Sequence, residues 1–283
     1  MSWLLAVIAG TLLPALVVRA QAGLAQMNPF FAFKNSMESG GPAAVDEQVR
    51  ILHEIGFDGF DNRNLDDLEA TLEALDAQGL KLYSIYFTVR IDPGEEHYNP
   101  RLLAVLPLLK DRGTVLWCNT HSKRFQPSDS AGDEYAVPIF CEIADLGAPF
   151  GVRVAPYPHL GLWVESPEDT ARLADKVDRP NFGTSFNLFH WNALGERKCP
   201  LEEVVRLIAP RMLLMSINGD IGPHNIGPLE EAKIDDYYTV LKAFRDAGYT
   251  GPVGLQCYLI PGDPREHLGQ SYAVWKLLAA RFN

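Results

Sequence analysis

Gly151-Val152-Arg153-Val154-Ala155-Pro156-Tyr157-Pro158-His159, then Ser166-Pro167-Glu168-Asp169, then Phe182-Gly183-Thr184-Ser185-Phe186-Asn187-Leu188-Phe189-His190 form the stretch that decides the fold. The first run is β-rich. The second opens a helix, with a serine N-cap, a proline at the first helical position and an acid at the third. The last run is β-rich again. Strand, helix and strand in this order make a parallel βαβ unit, because parallel neighbours need a crossover.

The same unit recurs on both sides. β-rich runs stand at Phe30–Phe33, Phe57–Phe60, Lys81–Phe87, Thr114–Cys118, Gly151–Pro156, Asn181–Phe186, Met212–Ile217 and Pro252–Cys257. Helical stripes lie between them: Val45, Val49, Leu52 and Ile55 ahead of Gly56; Leu65, Leu68, Leu72 and Leu75 after Asn64 and ahead of Gly79; Tyr237, Leu241 and Phe244 ahead of Gly248. These repeats predict an α/β fold, a single-domain (β/α)8 TIM barrel over residues 26–283. An open doubly wound sheet would place a glycine-rich phosphate loop after its first strand, and Phe33-Lys34-Asn35-Ser36-Met37 is not one.

Residues 1–25 differ from the rest. Leu4–Val18 is apolar except for Gly10, Thr11 and Pro14, and Arg19 and Ala20-Gln21-Ala22 follow. The run is short for a bilayer span and has the pattern of a secretory signal peptide, although Met1-Ser2-Trp3 lacks a basic side chain. The expectation is export to a periplasmic or extracellular location with no stable membrane span in the mature chain. An uncleaved anchor or a mis-chosen start codon is the alternative, the latter leaving a cytoplasmic protein. The formal net charge of −11 repels phosphate backbones, so nucleic acid is not an expected partner. Cys118, Cys141, Cys199 and Cys257 form no C-x-x-C pair and read as buried free thiols.

Barrel chemistry gathers where strands end. With a period of two, strand five aims Ala155, Tyr157 and His159 one way, and strand six ends in Asn187 with His190 just beyond. Strand seven points Ser216 and Asn218 together, and strand eight Gln256 and Tyr258. Four neighbouring strands thus end in hydrogen-bonding side chains.

Val152–His159, Phe182–His190, Leu214–Gly219 and Gly251–Tyr258 resemble the last four strands of the xylose isomerase-like barrel superfamily. Leu52–Phe60 and Ala247–Val253 resemble its second strand and the approach to its eighth. The group includes sugar phosphate isomerases/epimerases, ketose epimerases and repair nucleases of the endonuclease IV type. The resemblance implies a divalent metal held by Glu, Asp, His and Glu on strands five to eight. Those positions are here Tyr157, Asn187, Ser216 and Gln256, with no acid or imidazole among them. Such neutral donors bind Mn2+ or Mg2+ poorly, so no metal or other cofactor is expected. A retooled site and a decayed one are both compatible with these near-isosteres.

His159 and His190 are the expected acid/base groups, the family often having substrate-contacting histidines there. Tyr157, Asn187, Ser216, Asn218, Gln256 and Tyr258 are the expected binding groups, with Trp191 stacking on a sugar face and His121 lining the pocket. Asp61 and Arg63 close strand two, where a structural pair is equally natural. By the period of two, at most one of Tyr83 and Tyr86 points inward. Asp220 and His224 lie in a loop whose Gly219, Gly222 and Gly227 would let it close over a ligand. Two functions follow: proton transfer beside a carbonyl of a small carbohydrate (isomerisation, epimerisation or a related elimination/hydration), or carbohydrate binding without turnover. Export argues against a cytosolic sugar phosphate. A repair nuclease would need a metal cluster and a basic surface. The oligomeric state is not legible.

Overall fold

The computed structural model describes residues 27–222 and 225–282. The expected signal peptide and His224 lie outside these. The strands are β1 (Phe30–Ala32), β2 (Gly59–Asn62), β3 (Lys81–Arg90), β4 (Val115–His121), β5 (Arg153–Tyr157), β6 (Thr184–Asn187), β7 (Met212–Ile217), β8 (Gly219–Gly222), β9 (Asn225–Gly227) and β10 (Val253–Leu255). The helices are α1 (Val45–Ile55), α2 (Leu68–Gln78), α3 (Leu102–Val105), α4 (Asp133–Gly147), α5 (Pro167–Val177), α6 (Leu188–Ala193), α7 (Leu201–Ile208), α8 (Ile234–Asp246) and α9 (Pro264–Arg281).

Eight strands pair in parallel in the order β5-β4-β3-β2-β1-β10-β7-β6. The ring closes where Val154 of β5 bridges Phe182 ahead of β6; Val154 N–H donates to the Asn181 carbonyl at 2.9 Å and Gly183 N–H to the Val154 carbonyl at 2.9 Å. The expected (β/α)8 barrel is therefore the observed one. β8 and β9 form a separate antiparallel hairpin after β7. Among the described residues no helix is long and apolar enough to cross a membrane.

Local chemistry sets the element ends. The Ser166 hydroxyl accepts from Asp169 N–H, and the Asp169 carboxylate accepts from Ser166 N–H at 3.0 Å, which completes a capping box at α5. α1 stops at Gly56, whose φ of 111° is a left-handed conformation that favours glycine. α2 begins later than its leucine stripe suggests, because the Asn64 side chain turns back to accept from Asp66 N–H at 2.9 Å and holds a non-helical turn.

The strands bury two apolar layers. The outer one lies against the helices, as where Phe30 stacks on Trp275 of α9 with ring centroids 4.1 Å apart. The inner one fills the barrel with Phe31, Phe33, Trp117, Tyr157 and Leu214, with Tyr83 and Tyr86 packed on it. The expectation that Tyr83 and Tyr86 diverge fails for a physical reason. The β2–β3 pairing slips between Phe60 and Asp61, so that Phe60 faces Leu82 and Asp61 faces Ser84. The bulge at Tyr83 resets the strand's phase and turns both tyrosines inward. Gly59 sits beside it, where a Cβ would lie 2.1 Å from the Lys81 carbonyl oxygen and 2.7 Å from the Tyr83 ring. Gly59→Ala is expected to cost about 1–3 kcal/mol, read as a lower midpoint in urea unfolding. An unchanged midpoint would mean that the bulge yields freely.

Candidate active site

A cavity of about 510 Å3 opens at the C-terminal end of the barrel. Asp61, Tyr157, His159, His190 and Gln256 form its polar depth, with Phe33 and Tyr86 between them. Phe189, Ile221, Ile226, Tyr258 and Leu259 stand among the residues around it.

Asn187 ties the last four strands together. Its Oδ1 accepts from the backbone N–H of His190 at 2.9 Å, which fixes the amide's orientation. Its Nδ2 then faces Tyr157 Oη at 2.8 Å, Ser216 Oγ at 2.8 Å and Gln256 Oε1 at 2.9 Å. Asn187 and Ser216 are buried under the cavity, and Tyr157 and Gln256 reach its surface. Burial pushes the Tyr157 phenol well above its ordinary range, with the neighbouring Tyr86 and Asp61 adding to it. It stays a neutral O–H, whose proton is not used by the Asn187 contact.

This arrangement tests the metal expectation. An amide nitrogen has no lone pair to give a cation, and its hydrogens point at the oxygens that ligands would supply. The set Tyr157, Asn187, Ser216 and Gln256 therefore does not fit a divalent ion. Among the described residues no group of three or more His, Cys, Asp or Glu is placed to hold one.

His159 and His190 pack together with ring centroids 3.9 Å apart and planes tilted by 36°. The Leu160 backbone lies against both. Its carbonyl is 2.9 Å from His159 Nδ1 and must accept a proton from it, while its N–H donates to His190 Nδ1 at 3.3 Å. Neutral His159 thus carries its proton on Nδ1 and a lone pair on Nε2. His190 is the reverse: its proton is on Nε2, which is buried with no hydrogen-bond partner. Burial, with His159 alongside, pushes His190 down to about 2, and burial also lowers His159. Both rings are neutral near pH 7.

Asp61 was legible as the end of strand two but not as a titrating group. It is 4% exposed, and its Oδ1 accepts the Lys34 backbone N–H. Burial, only partly countered by the Lys34 hydrogen bond and charge, lifts its carboxyl to about 7. Lys34's own ammonium is engaged elsewhere, with Asn62 Oδ1 at 2.9 Å and with Asp67. Arg63 borders the cavity and pairs with Glu38.

Other expected residues fall elsewhere. Trp191 does not line the cavity. β6 runs straight into α6, and successive helical residues diverge by about 100°, so His190 turns inward and Trp191 outward. The indole packs against Phe186 and donates to the Cys199 carbonyl at 3.1 Å. Phe189 and His190 are the rings that α6 presents to the cavity. His121 is also off the cavity. β4 runs on to include it, and the exposed ring meets Asn119 Oδ1 at 2.8 Å. Asn218 turns its Nδ2 onto the Gly219 carbonyl at 2.9 Å, leaving a buried Oδ1 without a partner. Tyr258 borders the cavity, and the loop carrying Asp220 is the β8–β9 hairpin, with Asp220 paired to Lys233 at 2.8 Å. Cys118 and Cys257 are buried free thiols; Cys141 and Cys199 are free and only half-buried.

Comparison with known proteins places this geometry. A family model described as "Xylose isomerase-like TIM barrel" matches residues 49–276. An L-ribulose 3-epimerase structure superposes with a TM-score of 0.71 at 14% identity, covering 90% of this chain and 96% of that one. The IOLI protein, solved with a binding zinc atom, gives 0.70 at 15% identity, covering 91% and 99%. The 3-keto-D-glucoside 4-epimerase YcjR from E. coli gives 0.63 at 16%, covering 90% and 100%. At such identities the likeness is one of fold. No curated protein sequence matches.

Proposed function

We propose that this chain, which belongs to the xylose isomerase-like TIM barrel family, moves a proton beside the carbonyl of a sugar or sugar derivative without a divalent metal. The observation that carries the reading is the opposite tautomers of His159 and His190, set by the backbone carbonyl and N–H of one residue, Leu160. Sugar epimerases among the structural neighbours support the substrate class.

In this reading His159 Nε2, a free lone pair in the cavity, takes the proton from carbon. The electron pair moves onto the carbonyl oxygen. Tyr157 O–H and Gln256, whose side chains reach the cavity, donate to that oxygen as neutral dipoles, while His190, its Nε2–H buried, packs against His159 and holds that ring in place. Such preorganised donors replace part of what a metal ion would contribute. Asp61 lines the same cavity from β2, three strands round the ring from β5, which leads into His159. With a pKa of about 7 it is protonated in a large fraction of molecules at neutral pH. Returning its proton to the same carbon from the other face inverts the centre; return to the former carbonyl carbon, with the adjacent hydroxyl proton passing to the enolate oxygen, isomerises the sugar. The cavity's arginine is tied to Glu38, which favours an unphosphorylated substrate.

The test is a panel of ketoses and keto-sugars in D2O with the full chain and EDTA, read by NMR as loss of a carbon-bound proton signal. Exchange at one carbon that is indifferent to chelator is expected. Exchange that stops with EDTA and returns with Mn2+ or Mg2+ would overturn the metal-free mechanism. Sugar binding with no exchange would make the barrel a binding protein.

A further inference from the structure

We infer that the site takes a glycoside whose sugar lies on the polar floor and whose apolar, ring-sized aglycone lies against Ile221, Tyr258 and Leu259. The inference rests on the sugar reading of that floor. Six large hydrophobic side chains stand exposed among the described residues, and these three border this same cavity, at 61%, 43% and 62% exposure. Exposed apolar groups gathered at a concave site mark ligand contact, whereas scattered ones need no explanation.

The rim is built and held. Leu259 sits at φ 56°, a left-handed conformation that is unfavourable for leucine and natural for asparagine or glycine. The backbone thus holds an apolar side chain toward water at a position where a polar residue would fit with less strain. Ile221 comes from the β8–β9 hairpin. That hairpin is closed tightly at Gly219, where a Cβ would lie 1.7 Å from the Pro228 carbonyl oxygen, and is tied at Asp220 to Lys233. Ile226 of β9 continues the apolar wall inward. A free monosaccharide, polar all round, would occupy the depth and leave this wall in water. The cavity's 510 Å3 is in the range that holds drug-sized ligands. The wall is the upper part of a concave cavity and not a flat face, so a small molecule fits it better than a second protein surface.

The probes are p-nitrophenyl β-D-glucopyranoside, methyl β-D-glucopyranoside and p-nitrophenol, titrated calorimetrically into the full chain and into the double variant Ile221→Ser/Leu259→Asn. Asparagine suits the left-handed backbone, so that change keeps the loop. The expected result is aryl glycoside binding at least about tenfold tighter than the methyl glycoside, an advantage erased in the variant, with methyl glycoside binding unchanged. If the floor rejects glucose altogether, p-nitrophenol alone should still bind the native chain and lose at least about tenfold in the variant. An aryl advantage that survives in the variant, or no aryl binding by any probe, overturns the inference. Carbon exchange absent from the D2O panel while the aryl advantage holds would instead reject the catalytic reading and leave this subsite standing.

Discussion

His159→Ala is expected to slow carbon-bound proton exchange by about 10²–10⁴-fold, the range that a positioned general base contributes. The effect follows from geometry. The Leu160 carbonyl holds the His159 proton on Nδ1, so Nε2 is the free lone pair of the two rings; His190 Nδ1 is occupied by the Leu160 N–H. His190 cannot substitute, since burial holds it near a pKa of about 2 and its free edge carries a hydrogen. His190→Ala should cut exchange too, through loss of the ring that His159 packs against, and should also destabilise the fold because the residue is 4% exposed. The two effects separate on His159, which is half-buried: its alanine variant should keep a near-native melting temperature. Added imidazole should restore part of the rate in His159→Ala. Full activity in both single variants would reject the scheme.

Asp61→Asn is expected to make the protein more stable at pH 8 and nearly neutral in effect at pH 4. A carboxyl whose folded pKa is raised favours the protonated folded state. Its penalty is absent below the unfolded value of 3.8, grows as pH rises toward about 7, and is complete above that. The gap between those values sets a ceiling of about 4 kcal/mol at alkaline pH, reduced by whatever the Lys34 N–H bond loses on moving from carboxylate to amide. The charges that act on Asp61 are Lys34, Glu38 and Arg63, and all three remain in the variant. Chemical unfolding of both proteins from pH 4 to 9 reads the difference directly. A difference that is flat with pH, or that shrinks as pH rises, would show that Asp61 ionises normally. Turnover should fall in the same variant, since an amide cannot return a proton to carbon.

The barrel was legible because its punctuation is local. Ser166-Pro167-Glu168-Asp169 starts α5, and Gly56 and Gly79 end α1 and α2, by chemistry confined to a few residues. The inward faces of β5, β6, β7 and β10 followed from a period of two, which those strands keep near their ends. The failures lie where a neighbour intervenes. The bulge that turns Tyr83 and Tyr86 inward depends on how β3 pairs with β2. The outward turn of Trp191 depends on β6 passing into α6 with no loop. Asp61 titrates oddly because the fold excludes water from it, and the Lys34 N–H, delivered by a segment 27 residues earlier, offsets only part of that burial. The apolar rim had no signature at all, since Ile221 and Leu259 are ordinary loop residues until the cavity forms beneath them.

If the metal-free reading holds, the Asn187 amide makes the barrel independent of any bound ion. A fold whose last four strands converge on a bound ion draws part of its stability from mass action, and loses it when the ion's free concentration falls. Here the cross-link is part of the polymer: one side chain reaches Tyr157, Ser216 and Gln256 with no dissociation constant of its own. No scavenging of divalent ions can empty it, and no competing ion can remodel it. The melting temperature should therefore be the same in excess EDTA and in millimolar Mn2+.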